Sequence, residues 1–97
     1  MRYHIPDKVW REIAAFAQKN GVKQVILFGS RARGTHRERS DIDIAVSGGN
    51  FQAFYDDVKE NTHTLLMFDI VNLDAGISEK LQKEIERDGV VIYGETG

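Results

Sequence analysis

The residues of this chain that are best suited to chemistry are three aspartates. Asp41 and Asp43 stand two positions apart in an alternating stretch, and Asp69 is the lone charged residue of the apolar run 65–71. Residues i and i+2 of a strand project from the same face, with Cα atoms about 6.5–7 Å apart. Two carboxylates at that separation favour hard divalent cations such as Mg²⁺. A third carboxylate from a neighbouring strand would complete a site for two cations about 3.5–4 Å apart, which clamps an in-line phosphoryl displacement.

A candidate phosphate site begins at Gly29 and Ser30, directly after the apolar run 24–28. A glycine there lets the backbone approach a ligand closely, amides at the start of a following helical turn can bind phosphate, and Ser30 adds a hydroxyl. Four of the chain's seven arginines follow within nine residues: Arg31, Arg33, Arg37 and Arg39. Because a guanidinium pairs with phosphate through a planar fork, the cluster predicts a contact with a triphosphate.

Each of these features also has an ordinary structural explanation. Gly29-Ser30 alone is typical of a turn followed by a helix N-cap. Asp69 is expected at a solvent-exposed alternate position if its strand lies at the edge of a sheet. The arginines are compatible with a solvated loop. The combination of all these residues at these spacings, and no single one of them, favours a nucleotide site.

The hydrophobic periodicity predicts the elements that must position these residues. An amphipathic helix is expected over 7–20, and Asn50 and Ser78 are expected to cap two further helices. Strands are predicted at 24–28, 41–46, 65–71 and 90–93. Alternation of this kind implies helices packed on a sheet. The expected fold is therefore an α/β (α+β) fold, with a small mixed sheet of about four strands flanked by helices.

The directions of the first two strands follow from the position of the candidate site. Twelve residues separate Phe28 from Asp41, which is close to the minimum for a parallel crossover. Gly29 and Ser30 follow the end of the first strand, whereas Asp41 opens the second. If these groups share one site, the two strands must run antiparallel, and the sheet is mixed.

The composition limits the class of protein. The chain has 97 residues and a formal net charge of −2, with 41% hydrophobic and 29% charged residues. These values are typical of one soluble domain, residues 1–97, and the missing basic excess argues against generic nucleic-acid binding. The chain has no cysteine, which excludes thiolate ligands and thiol nucleophiles. With no apolar run near the roughly 18 residues of a membrane span and no signal-peptide pattern, we expect a cytoplasmic protein.

Two segments of the chain together resemble the signature of the minimal nucleotidyltransferases of the DNA polymerase beta superfamily. They are residues 29–34, with the sequence GSRARG, and residues 40–46, with the sequence SDIDIAV. The resemblance covers nearly the whole chain, including the leading helix, the strand around Asp69 and the closing segment 89–93. The sequence does not depart from the signature at the catalytic positions. The resemblance implies the nucleotidyltransferase fold, which is like the palm of polymerase beta.

The resemblance also assigns roles to residues of this chain. It implies that the catalytic and metal-binding carboxylates are those of Asp41, Asp43 and Asp69. The implied cofactor is Mg²⁺, expected as two ions, with Mn²⁺ as a substitute. Gly29 and Ser30 would hold the phosphates of a nucleoside triphosphate, with ATP expected. Arg31 and Arg33 complete the predicted nucleotide-binding set.

The family also implies a partner protein. Its small members lack the second, substrate-binding domain of larger relatives, and they are often encoded beside an all-helical HEPN protein. Several such pairs act as toxin and antitoxin, in some cases by transfer of AMP from ATP to a tyrosine of the toxin. A chain of 97 residues can build a catalytic half-site but hardly an acceptor pocket as well. A HEPN-type partner or a second copy of the chain is therefore expected to close the cleft.

Three functions are compatible with these observations. The first is Mg²⁺-dependent transfer of a nucleoside monophosphate to an acceptor hydroxyl on a partner protein, the chain being the antitoxin of a pair. The second is an antitoxin that masks a HEPN toxin by binding alone. The third is a transferase acting on a small molecule, with the missing pocket supplied by a homodimer or a helical subunit. The intact set of three carboxylates favours the first.

Overall fold

The computed structural model describes residues 3–35 and 40–94. Its elements are, in chain order, α1 (Asp7–Lys19), β1 (Gln24–Phe28), α2 (Gly29–Arg33), β2 (Ile42–Ser47), α3 (Phe51–Asn61), β3 (Phe68–Asn72), α4 (Glu79–Asp88) and β4 (Val90–Gly94). A short 3₁₀ turn, Leu73–Ala75, follows β3. None of the helices in the described ranges has the length and apolar character of a membrane span.

The four strands form one mixed sheet in the order β3-β2-β1-β4. β1 runs antiparallel to β2 and to β4, whereas β2 runs parallel to β3. The predicted mixed sheet and the predicted antiparallel pairing of the first two strands are therefore confirmed. Because Phe28 pairs with Asp43, the end of β1 lies beside the start of β2. The chain thus leaves the sheet at Gly29 next to the point where the aspartates enter it.

Helices cover the two faces of the sheet unequally. α1 and α3 enclose the main core, to which Ile42, Ile44 and Val46 of β2 contribute. On the other face, Ile85 of α4 packs with Phe28 and Ala45 in a smaller cluster. Because alternate residues of a strand point to opposite faces, Asp43 lies on the same face as Ala45. The candidate carboxylate therefore belongs to the α4 side of the sheet.

Two of the predicted helix caps are present. The Asn50 side chain accepts a hydrogen bond from the Ala53 amide at 3.1 Å, and the Ser78 hydroxyl accepts one from the Leu81 amide at 3.1 Å. Such caps satisfy backbone donors that have no partner within the helix. Local side chains thus define where α3 and α4 begin.

The third strand is shorter than its apolar run predicted. It begins at Phe68 and not at Leu65, and Leu65 is fully exposed while Met67 is 64% exposed. The Thr64 hydroxyl accepts a hydrogen bond from the Leu66 amide, a local bond that competes with strand pairing. Pairing with β2 starts where the Ile42 amide donates to the Met67 carbonyl at 2.8 Å. The boundary of β3 is therefore set by its partner strand and not by apolar character.

Candidate active site

Asp43 lies at the centre of the candidate site. It pairs in register with Phe28 of β1 on one side and with Asp69 of β3 on the other. Register partners in a sheet project from the same face, so the side chains of Asp43 and Asp69 stand next to each other. Two of the three predicted carboxylates are therefore neighbours because of strand register, although 25 positions separate them in the sequence.

Asp41 and Asp69 flank Asp43 from more exposed positions. Asp41 immediately precedes β2 and is exposed, and Asp69 is exposed on β3, which is an edge strand. The ordinary structural explanation for Asp69, an exposed position on an edge strand, is thus correct as a description of its surroundings. It does not exclude a role in the site, because the same position places Asp69 beside Asp43.

The pKa of Asp43 is raised to about 6. The largest cause is burial, which disfavours the charged form, followed by the negative charges of Asp69, Asp41 and Glu84. Arg33 opposes these effects. The shift indicates that the site concentrates negative charge around one half-buried carboxyl, an arrangement that a bound cation would relieve.

The carboxylate oxygens of these aspartates are of the type that binds a hard divalent cation. The candidate ligands are carboxylate oxygens, which Mg²⁺ and Mn²⁺ prefer, and the pKa of the central carboxyl is raised partly by its acidic neighbours. Within residues 3–35 and 40–94, however, no three His, Cys, Asp or Glu side chains are already gathered as a metal-binding group. The convergence of all three carboxylates on metal ions stays a prediction.

Gly29 adjoins this cluster through its backbone. Its φ is +77°, a left-handed conformation that side chains disfavour. A Cβ atom built on Gly29 would lie 3.0 Å from Cγ of Asp43 and would overlap the carboxylate itself. The close approach predicted for this glycine therefore occurs, and the group that it approaches within the chain is the central aspartate.

Ser30 is the second residue of the one-turn helix α2 and is half-buried. Its carbonyl accepts a hydrogen bond from the Thr35 amide at 3.0 Å, and Gly34 ends the helix in a left-handed conformation, φ +79°. The start of α2, where the predicted phosphate contact would be made, thus follows directly from β1, whose last residue pairs with Asp43. The predicted contacts of Arg37 and Arg39 lie outside the described residues.

Arg31 does not occupy the position that the sequence suggested. Its side chain is 1% exposed, and its guanidinium donates to the backbone carbonyls of Ser40, Tyr3 and His4. Burial lowers the pKa of Arg31, and the charges of Asp43 and Asp41 oppose this change. The placement does not support the predicted phosphate contact, because the fork of donors faces the protein's own backbone.

Arg33, in contrast, lies close enough to the site for its positive charge to lower the pKa of Asp43. Its guanidinium is 3.3 Å from Oε1 of Glu84 and 3.5 Å from Oδ2 of Asp88, both on α4. Sequence reasoning did not identify these two acids as neighbours of the site. Their i,i+4 spacing, which puts both on one helical face, was the available signal. A helix predicted from periodicity alone gives no indication of which loop it will face.

A cavity at the other end of the sheet is not part of this site. It has a volume of about 510 Å³ and is lined by Val22, Lys23, Gln24, Ser47, Tyr93 and Gly94. Gln24 opens β1, whereas the aspartates lie beside the residue that ends it. Because the lining contains no carboxylate and no arginine, the cavity offers neither the metal ligands nor the phosphate ligands that the sequence predicted.

Comparison with known proteins gives consistent results. Residues 11–96 match the family model described as Polymerase beta, Nucleotidyltransferase. A provisionally named protein adenylyltransferase of Methanocaldococcus jannaschii, MJ0435, is 32% identical over 80 residues, which cover 82% of this chain and 72% of the relative. This chain is therefore similar to a protein named for transfer of an adenylyl group.

Two solved structures share the fold. A provisionally named minimal nucleotidyltransferase is 25% identical with a TM-score of 0.68, and the match covers 93% of this chain and 95% of that one. A chain from a toxin–antitoxin crystal structure with AMP-PNP is 22% identical with a TM-score of 0.64, covering 90% and 74%. The family match spans most of the chain and agrees with the mixed sheet and its flanking helices. The chain therefore belongs to the polymerase beta nucleotidyltransferase family, and it is a nucleotidyltransferase of the minimal type.

Proposed function

We propose that this chain transfers a nucleoside monophosphate, AMP from ATP, to a hydroxyl group on a partner protein in a reaction that depends on Mg²⁺. The proposed partner is a HEPN-type helical protein, and the two would form a toxin–antitoxin pair in the cytoplasm. The observation that carries the proposal is the register pairing of Asp43 with Asp69, directly beside the backbone of Gly29. A phosphate-binding turn and paired carboxylates are the two components that metal-assisted phosphoryl transfer needs.

In this proposal the nucleotide is held by the turn between β1 and α2. The backbone at Gly29 and Ser30 would bind the phosphates, since amides at the beginning of a helical turn have no partner within the helix. Arg33 would contribute a guanidinium after exchanging one of its ion pairs on α4 for a phosphate oxygen. The Arg33 side chain is 36% exposed. Because solvent screens exposed ion pairs, breaking one of them costs little free energy.

The chemical step moves one adenylyl group, the AMP part of ATP, from the bridging oxygen of the triphosphate to an oxygen of the acceptor. The acceptor's hydroxyl oxygen attacks the α-phosphorus of ATP, the bond from that phosphorus to the bridging oxygen breaks, and pyrophosphate leaves. Asp41 and Asp43 would hold the divalent cation, which supplies Lewis-acid polarisation of the phosphate when bound. Asp69, which is exposed beside Asp43, would complete the carboxylate set for the cation and would accept the proton of the attacking hydroxyl.

A protein acceptor is favoured over a small molecule by three observations. The M. jannaschii relative is named as a protein adenylyltransferase, and a structural neighbour comes from a toxin–antitoxin structure with AMP-PNP. In this chain, Leu65 and Met67 are large apolar side chains exposed just before the strand of Asp69. Exposed apolar groups next to an edge strand suit contact with another protein.

The experiment takes the protein encoded next to this chain, which we propose to be of the HEPN type, and measures transfer of radiolabel to it from [α-³²P]ATP, with its mass measured in parallel. Wild-type protein with Mg²⁺ should label the partner and raise its mass by one AMP. Asp43→Asn should abolish labelling, because it removes one charge from the cation site at almost constant volume. Asp56→Asn, an exposed aspartate on α3, is the matched control and should keep full activity.

A growth assay with both proteins separates transfer from masking. If transfer protects the cell, Asp43→Asn should fail to rescue growth although it still binds the partner. Full rescue by Asp43→Asn, with no mass change on the partner in any sample, would show that binding alone is the function. Rapid transfer to a free small molecule without the partner would instead favour the small-molecule transferase, with a homodimer as the form to test.

A further inference from the structure

Arg31 is the buried charged residue of the described part of the chain. Its guanidinium donates two hydrogen bonds to the carbonyl of Ser40, from Nε at 3.1 Å and from Nη2 at 2.7 Å. Nη1 donates to the carbonyls of Tyr3 at 3.1 Å and His4 at 3.2 Å. A cation removed from water in this way requires such acceptors. One side chain of α2 therefore connects the start of the described chain to the residue that precedes Asp41.

The two acceptors near the N-terminus show how specific this arrangement is. Tyr3 and His4 both have φ +56°, a left-handed conformation that is unfavourable for residues with a Cβ. Two such residues in succession persist only where surrounding contacts hold them. The shared donor Nη1 of Arg31 supplies contacts to both carbonyls. The backbone carbonyls around Arg31 are thus arranged to accept hydrogen bonds from a guanidinium.

The connection to Ser40 bears on Asp41 because Asp41 lies outside the sheet. β2 begins at Ile42, whose amide donates to Met67, whereas Asp43 is held between two strands. Asp41 has no ladder pairing of this kind, and the residue before it is fixed through its carbonyl by Arg31. The negative charges of Asp41 and Asp43 also act favourably on the buried guanidinium.

We infer that Arg31 is a positioning residue, which sets the Asp41 carboxylate for the divalent cation by holding Ser40 and which does not itself contact the nucleotide. The inference rests on the proposed cation site. It differs from a role in stability alone, because the bonded carbonyl belongs to the residue next to a candidate ligand. It also differs from an effect of charge, because it depends on the forked geometry of the guanidinium, which lysine cannot reproduce.

The test is Mn²⁺ binding without nucleotide, followed by electron paramagnetic resonance, for the wild type, Arg31→Lys and Arg31→Gln. Lysine keeps the charge and loses the fork, whereas glutamine keeps an amide donor and loses the charge. Positioning predicts that both variants bind Mn²⁺ more weakly, by up to about 10–100-fold, which is the cost when a hydrogen-bond partner of the metal ligand itself is lost. Val58→Ala, in the core away from the site, controls for lost stability and should bind Mn²⁺ as the wild type does.

A second measurement reports on Asp41 directly. The backbone amide signals of Asp41 and Ile42 in ¹H–¹⁵N spectra should shift in both Arg31 variants and stay in place in Val58→Ala. The inference is overturned if the Arg31 variants bind Mn²⁺ within twofold of the wild type. It is also overturned if Arg31→Gln binds Mn²⁺ more tightly than the wild type while Arg31→Lys binds it equally well. That result is expected if Arg31 affects the cation only through its positive charge. If the wild-type protein binds no Mn²⁺, the cation site of the proposed function is wrong and the inference falls with it. If the wild type binds Mn²⁺ and the Arg31 variants bind it equally well, only the inference is wrong, so the two failures are distinguishable.

Discussion

Gly29 and Asp43 adjoin so closely that a Cβ atom on Gly29 would lie 3.0 Å from Cγ of Asp43 and overlap its carboxylate. The glycine that begins the predicted phosphate turn therefore also gives space to the central carboxylate. This relationship arises because β1 and β2 are antiparallel and Phe28 pairs with Asp43. The absence of a side chain at position 29 thus matters for both components of the site.

The first prediction concerns Gly29→Ala. A left-handed φ costs a residue with a Cβ about 1–2 kcal/mol, and the overlap with Asp43 should add about 1–3 kcal/mol, as overpacking does. Gly34→Ala is the matched control, since Gly34 is left-handed with φ +79° and has no atom within 4 Å of an added Cβ. Urea unfolding should therefore show a larger loss for Gly29→Ala. Equal losses for the two variants would mean that the Asp43 carboxylate moves away without cost.

The relation between Gly29 and the aspartates was accessible from the sequence. The apolar run 24–28 and the alternation at 41–46 predicted two strands, and the requirement for one shared site predicted their antiparallel pairing. Both strands are defined by the strongest local signal, which is a buried or alternating apolar pattern. The position of Asp69 beside Asp43 was harder to predict, because register depends on contacts between strands far apart in the sequence.

The second prediction concerns stability and pH. The pKa of Asp43 in the folded protein is about 6, against an ordinary value of 3.8, so the folded state binds more protons between these pH values. Stability should therefore fall as the pH rises from about 4 to 6 and stay reduced above that range. Asp43→Asn removes this penalty. The variant should be more stable than the wild type at pH 7.5 by on the order of 1 kcal/mol, after allowance for solvent screening.

Thermal unfolding at two pH values measures this effect. At pH 7.5 the melting temperature of Asp43→Asn should exceed that of the wild type by about 4–8 °C per kcal/mol for a domain of this size. At pH 3.5, where the carboxyl is fully protonated in the folded state and mostly protonated in the unfolded state, the difference should become small. An equal difference at both pH values would contradict the assigned cause.

Two parts of the structure could not be predicted from local patterns. Arg31 belongs to an arginine-rich segment that is typical of a surface loop, yet it is buried, because acceptors from Tyr3 and Ser40 meet at its guanidinium. The run 65–67 has the composition of a strand, yet Leu65 is exposed, and the register of β3 with β2 begins only at Phe68. In both places the outcome depends on contacts between distant segments, which override local propensity.

The third prediction concerns the cation. If Mg²⁺ binds the folded protein and not the unfolded chain, it should raise the melting temperature. At a Mg²⁺ concentration of 100 times the dissociation constant, the gain in stability is about 2.7 kcal/mol. Asp69→Asn should reduce this rise strongly because it removes a carboxylate beside Asp43. Asp56→Asn, which removes an exposed charge on α3, should leave the rise unchanged. Excess EDTA should reverse the effect in the wild type, and an undiminished rise in Asp69→Asn would exclude Asp69 as a ligand.

The fourth prediction concerns Glu84, whose carboxylate lies 3.3 Å from Arg33 and whose charge also raises the pKa of Asp43. Both effects oppose binding of a triphosphate, because Glu84 competes for the guanidinium and adds negative charge to the site. Glu84→Gln should therefore increase the affinity for ATP by about 2–5-fold, equivalent to an exposed ion pair of about 0.5–1 kcal/mol. Calorimetric titration with ATP and Mg²⁺ at low ionic strength measures the change.

The control for Glu84→Gln lies on the same helix. Glu79 pairs with Lys83 at 3.2 Å on the exposed side of α4, so Glu79→Gln removes an equal charge without releasing Arg33 and should alter the affinity for ATP little. The gain in Glu84→Gln should shrink in 0.5 M NaCl, because salt screens exposed charges. Weaker ATP binding by Glu84→Gln would reverse the interpretation. Arg33 would then depend on Glu84 for its orientation toward the phosphates, and the ion pair would belong to the active form of the site.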